Sequence, residues 1–317
     1  MRVRRLSWMG GVIFTLALAT SSIRAAEFEK YLPDDTEVVF HANIRQALDS
    51  ALGKKYLSPI QSIKGQENVP EMLSALGLDP VKDIHSFTLA VSGKINEKDW
   101  TAILTGNFNQ DKIQSAAETF ASKQADALKV SKQDGATIYE LRDKSSRSAF
   151  ATFIERNTLL ASGTKNVVTG AIANKGVAKT SNLNKEIVAL IKERSGKESL
   201  WMAMVPNQIL DALGNNKQAI DIAKKVKSLK CGVTLTDGIQ LSMRILATDD
   251  KAARAVRQTL EGVKALLTLA VSSNDQLKDF GPTLTDILNS VKFTLDKSTV
   301  GMDLSVSGKQ IEEGLNK

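Results

Sequence analysis

Ser162-Gly163-Thr164-Lys165 has the spacing Ser-x-x-Lys. Where a strand turns into a helix, that spacing sets an amine beside a hydroxyl, and Ser-Lys hydrolases use it to make a nucleophile. Here no Ser-Asp-Asn or Lys-Thr-Gly follows to complete such a site. A second Ser-Gly, Ser307-Gly308, stands at the corresponding junction near the end of the chain, with Gln310 three residues after the serine. A repeated turn therefore explains the serine without catalysis. The two histidines, His41 and His85, have no second histidine or cysteine at ligand spacing, so no transition-metal site is expected. Cys231 is the only cysteine; it excludes an intrachain disulfide and reads as a buried thiol in a strand. Asp34 and Asp35 read as turn formers, and Asp249-Asp250 as acids opposing a helix dipole. The Gly-rich phosphate and dinucleotide motifs and the Gly-x-Ser-x-Gly elbow are missing from the sequence. These residues assign no catalytic, metal or cofactor-binding position.

The chain begins with Arg2, Arg4 and Arg5, followed by the apolar run Trp8–Ala19 and the small residues Ala25-Ala26. This is the layout of a secretory signal peptide, with a cut expected after Ala25 or Ala26. The apolar run is shorter than the roughly 20 residues of a membrane span, so no transmembrane span is expected in the mature chain. Uncleaved anchoring and twin-arginine export are the alternatives. Residues 1–26 hold Arg2, Arg4, Arg5 and Arg24 and no acid, so without them the formal charge falls from +7 to +3. That mild charge argues against a nucleic-acid partner, whose phosphates supply most of the affinity.

The rest reads as an α+β protein written twice. "TEVVFHANI" (36–44) is a strand and "RQALDSAL" (45–52) a helix. After a loop region comes the helix "EMLSALG" (71–77). Two strands, "SFTLAVSG" and "WTAILTGNF", precede a long helix capped by Asn109. "ATIYEL", "AFATFIE" and "TLLASG" are strands, and "NVVTGAIA" is a helix. The second half gives "ESLWMAMV", two short helices including "KQAIDIAKKVK", the strands "LKCGVTLTD" and "IQLSMRILAT", and a long helix over 249–271 with Thr248 in the cap position. The strands "VKFTLD" and "VGMDLSVSG" and the helix "KQIEEGLN" close it. Gln46, Leu48 and Asp49 match Gln208, Leu210 and Asp211; Asp111-Lys112 matches Asp250-Lys251. The expected division is a signal peptide over 1–26 and two subdomains, 27–180 and 181–317. Each would carry a mixed, mostly antiparallel sheet covered by helices, with the boundary in "NKGVAKTSN" (174–182). "ALLTLAV" (265–271) is apolar all round and is expected where the two units meet.

Leu32, Pro33, Asp35, Thr36 and Val39, then Ala47-Leu48-Asp49-Ser50-Ala51-Leu52, resemble the opening of secreted planctomycete-type bacterial proteins of unknown function with a duplicated α+β unit. The resemblance implies an exported or envelope location and carries over no site residue. The sequence thus points to an exported, non-catalytic envelope protein in the periplasm or outside the cell, binding or scaffolding through duplicated lobes. Its partner would be an envelope protein or an apolar ligand. The alternatives are a carrier of lipid or other apolar ligands, with "LWMAMV" lining a cavity, and a hydrolase built on Ser162 and Lys165.

Overall fold

β1 (Thr36–Asn43) carries Val39 on one face and Phe40 on the other, and both faces meet apolar neighbours. The computed structural model describes residues 28–57, 78–92, 99–143, 145, 147–174, 183–193, 196–206, 217–273 and 281–315. The helix expected over 71–77, the matches Gln208, Leu210 and Asp211, the 1–26 segment and the boundary stretch beyond Asn174 lie outside them.

The further strands are β2 (Ile84–Ser92), β3 (Trp100–Gly106), β4 (Leu128–Gln133), β5 (Ala136–Arg142), β6 (Ser148–Glu155) and β7 (Thr158–Ser162). Then come β8 (Leu200–Met204), β9 (Val226–Leu235), β10 (Ile239–Ala247), β11 (Lys292–Asp296) and β12 (Thr299–Val306). All twelve form one sheet in the order β11-β12-β10-β9-β8-β1-β2-β3-β7-β6-β5-β4. Every ladder among the described residues is antiparallel. The protein is therefore α+β with a large antiparallel sheet. Two details differ from expectation. The sheet is not mixed, because its strands are joined by hairpins or return on the opposite heading. It is also continuous across the two halves: β1 pairs with β8, Val39 opposite Ala203, and so neither strand is left as an open edge.

The helices are α1 (Ile44–Asp49), α2 (Pro80–Asp83), α3 (Gln110–Lys123), α4 (Lys165–Ala173), α5 (Lys185–Lys192), α6 (Lys217–Ala223), α7 (Asp250–Ser273), α8 (Gly281–Ser290) and α9 (Gly308–Leu315). Strand alternation decides what each covers. On one face, Val39, Ala90, Ile103, Ile138, Leu160 and Ala203 pack under α4, α5 and the 3₁₀ turn Phe28–Tyr31. Ile187 and Ile191 of α5, one helical turn apart, are fully buried there. The opposite face carries Ala102, Ala161, Ala151 and Tyr139 in one cross-strand row under α3, and Met243, Ile245 and Val300 under α7.

In the second half the first of these faces is polar. Arg244 makes a fork of hydrogen bonds to Asp303, with Nη1 to Oδ1 at 2.9 Å and Nη2 to Oδ2 at 3.1 Å. It lies across Gly301, where a Cβ would come within 2.2 Å of Thr294 Oγ1. The β4–β5 hairpin turns on Asp134-Gly135, both at positive φ (49° and 76°), the pairing that two-residue hairpins favour.

Two expectations about α7 change. Its cap is Asp249 rather than Thr248: Asp249 Oδ1 accepts the Ala252 N–H at 2.7 Å. The 265–271 stretch does not sit between the halves. The first part of α7 buries Ala252, Ala253 and Val256 on the sheet, but the helix then runs past it. Its later polar stripe turns inward, with Lys264 Nζ donating to Val291 O at 3.1 Å. Leu266 and Leu269 are left 68% and 64% exposed. Likewise β9 begins at Val226, earlier than expected, and shortens the preceding helix to Lys217–Ala223.

Candidate functional site

Ser162 ends β7 and is buried. Its Oγ donates to Trp100 O at 2.9 Å and accepts the Thr164 N–H at 3.1 Å, so the hydroxyl is held by backbone on both sides. Lys165 opens α4 and is exposed. At the corresponding junction Ser307 and Gln310 bond reciprocally: Ser307 N–H donates to Gln310 Oε1 at 2.8 Å, and Ser307 Oγ accepts the Gln310 N–H at 3.3 Å. That is a capping box. Ser307 thus caps its helix, whereas Ser162 fixes the turn that leads into Thr164, the cap residue of α4, which makes no side-chain cap bond.

His41 lies in the sheet centre, its ring stacked between Phe28 and Trp201 at centroid distances of 5.6 and 5.5 Å. Its Nδ1 is 2.8 Å from Thr88 Oγ1. His85 is half-buried on β2. Cys231 is half-buried in register with Met202 and Met243, and burial pushes its thiol above the ordinary range. Among the described residues, no three or more His, Cys, Asp and Glu side chains are grouped so as to hold a metal.

The most closely tied polar cluster is structural in form. Tyr31 Oη donates to Glu155 Oε1 at 2.6 Å, and Lys30 Nζ donates to the same oxygen at 3.0 Å. This fastens the 3₁₀ turn to β6. Burial, helped by the Glu155 hydrogen bond, pushes the Tyr31 phenol up to about 12.

An apolar cavity lies on the other face, under α3. Asn109 caps that helix, its Oδ1 accepting the Lys112 N–H at 3.0 Å. The inward stripe is Ile113, Ala116, Ala117 and Phe120; Ala117 is buried against Tyr139 and Ala151 of the sheet, and the short side chains at 116 and 117 leave room beside that contact. The result is a cavity of about 340 Å³. Leu104, Leu159 and Phe153 form its floor, with Tyr139 and Leu141 at one end. Phe108 and Phe153, 5.6 Å apart by ring centroid, brace one wall. No hydrogen bond holds the Tyr139 hydroxyl among the described residues; burial and then the charge of Glu118 raise its pKa. The cavity falls within the usual size range of small-molecule sites. With Tyr139 and Arg142 the polar members of an otherwise apolar lining, water has few partners to hold it.

The sequence offered one legible signal for this site, the pair of small residues inside α3's apolar stripe. "LWMAMV" does not line it. Trp201 and Ala203 belong to the core on the opposite face.

No protein-family model matches the chain, and no curated protein does. Among solved structures, crystal form I of TP0453 aligns with 90% of this chain and 95% of that one, at 8% identity and a TM-score of 0.48. Among the described residues no helix is long and apolar enough to cross a membrane.

Proposed function

We propose that this is an exported envelope protein that binds an apolar, chain-like ligand under α3, by uptake and not by catalysis. The observation that carries the reading is the 340 Å³ cavity with its apolar walls. If a methylene takes roughly the volume of one water, about 30 Å³, the space suits a chain of roughly ten to twelve carbons. Burying such a chain at about 0.8 kcal/mol per methylene yields roughly 9 kcal/mol; association and ordering take back about 4 kcal/mol or more, which leaves affinity of roughly submillimolar order.

Export is supported by the tripartite N-terminus and by where the core begins. Phe28, two or three residues past the expected cut, is already only 3% exposed. Duplication is supported by strand order. Outward from the centre, β1-β2-β3-β7-β6 on one side corresponds to β8-β9-β10-β12-β11 on the other, with α3 and α7 on the same face. The halves then share a plan, and the hairpin β4–β5 and the cavity are features of the first.

Calorimetric titration with n-alkanols tests the reading. Affinity should rise from octanol to dodecanol and then level off. Ala116→Trp, which places an indole in the space, should lower dodecanol affinity at least tenfold with the fold intact by circular dichroism. Absence of dodecanol binding to the wild type, or unchanged binding to the variant, would refute it.

A further inference from the structure

We propose that the cavity's ligand is a single-chain amphiphile with an anionic head, its tail under α3 and its head outside, against Lys123. The proposal rests on the apolar-ligand reading above and adds the chemistry of the exposed end. Two of the residues that close the cavity, Ala116 and Phe120, also line a shallow depression on the outer side of α3. Phe120 is 36% exposed although it belongs to the cavity wall, so the wall opens to the surface there.

The depression's other side chains are Lys112, Ser115, Thr119 and Lys123. Both lysines are exposed, and neither has an ion-pair partner among the described residues. They are eleven residues apart, about three turns, so they point from nearly the same side of the helix but are about 16 Å apart along it, too far for one head group to touch both. Helical side chains lean toward the N-terminus, so Lys123 leans over Thr119 and Phe120 and is the direct contact, while Lys112 adds positive field along the same side. The nearby acids do not compete. Glu118 lies on the other flank of α3, its Oε1 accepting from Gln114 Nε2 at 2.9 Å. Asp111 sits in the helix's first turn. Arg142 and Glu140 alternate along β5 with Tyr139 and Leu141, which line the cavity, so their hydrogen-bonded ion pair (2.7 and 2.9 Å) is directed to the opposite face and leaves Lys123 as the cation at the mouth.

The test is calorimetry on the full chain with dodecanoate, dodecanol and dodecyltrimethylammonium, all below their aggregation limits. Dodecanoate should bind about two- to fivefold tighter than dodecanol, the range one exposed ion pair supplies. Dodecyltrimethylammonium should be weakest. The preference for dodecanoate should shrink in 0.5 M NaCl. The double variant K112E/K123E should reverse the order of acid and cation and leave dodecanol within twofold of wild type. Equal binding of acid and alcohol by the wild type overturns the proposal, as does a dodecanoate preference that survives in the double variant. Either result leaves the cavity reading intact, because dodecanol alone reports on it. Failure of all three ligands overturns both.

Discussion

Leu159 and Leu160 are neighbours on one strand, and the structure predicts that truncating them has very different costs. Leu160 is fully buried on the α4–α5 face, opposite Ile103 and Thr152. Leu159 points to the other face, is half-buried, and forms part of the cavity floor. Leucine to alanine removes three carbons, worth about 2.4 kcal/mol of transfer energy at roughly 0.8 kcal/mol each. At Leu160 the surrounding atoms are close-packed, and the hole left behind adds about 24 cal/mol per Å³. The expected total is about 3–4 kcal/mol. At Leu159 one side of the side chain already borders empty space, so fewer contacts are lost and no separate hole is created. About 1–1.5 kcal/mol is expected there. Urea unfolding followed by tryptophan fluorescence gives both numbers, provided the slope against urea is unchanged. Costs within about 0.5 kcal/mol of each other would mean that the space beside Leu159 is filled, and the ligand site with it.

Ser162→Ala should cost about 0.5–2 kcal/mol, because two backbone partners lose a buried hydroxyl. Lys165→Ala should be near neutral, and a fluorophosphonate probe should not label Ser162; labelling that depends on Lys165 would restore the hydrolase. Spectroscopic titration near 295 nm should find one phenol, absent in Tyr31→Phe, ionising near 12. Because the folded value lies above the unfolded one of about 10, this group's contribution to stability is complete below pH 10 and is lost as pH rises toward 12. A Tyr31 phenol ionising near 10 would contradict the geometry. Leu266→Glu and Leu269→Glu should each change stability by less than about 0.5 kcal/mol, since both side chains already face solvent. A loss of 2 kcal/mol in unfolding measurements would place that end of α7 inside the protein.

Much of the architecture was legible where local chemistry and packing agree. Asn109 caps α3 as its side chain predicts, and the alternation in β1, β2 and β10 marks strands with two distinct faces. Of the elements that escaped, two did so for different reasons. β4, Leu-Lys-Val-Ser-Lys-Gln, is an edge strand whose lysines suit solvent, so its composition is not strand-like. α5 shows only two fully buried residues, Ile187 and Ile191, although Asn184 does cap it, accepting the Glu186 N–H at 2.9 Å. The apolar end of α7 misled for a physical reason: a run of leucines says that burial is favourable, and the length of the sheet decides whether there is anything to be buried against. The cavity was out of reach because an empty volume depends on several side chains from β3, β5, β6, β7 and α3 falling short together.

The central ladder has a consequence for how the chain reaches its native state. β1 is made early and its partner β8 about 160 residues later, so this pairing is among the most non-local in the molecule. At ordinary synthesis rates β1 waits roughly 10–30 s with one edge open. During that interval "VVF" presents unpaired backbone and apolar side chains, the combination that recruits strands from other chains. The risk falls on the middle of the finished sheet, not on its lysine-bearing rim. A second nascent chain supplying β8 at that moment would produce an exchanged dimer in which every other strand pairing is native.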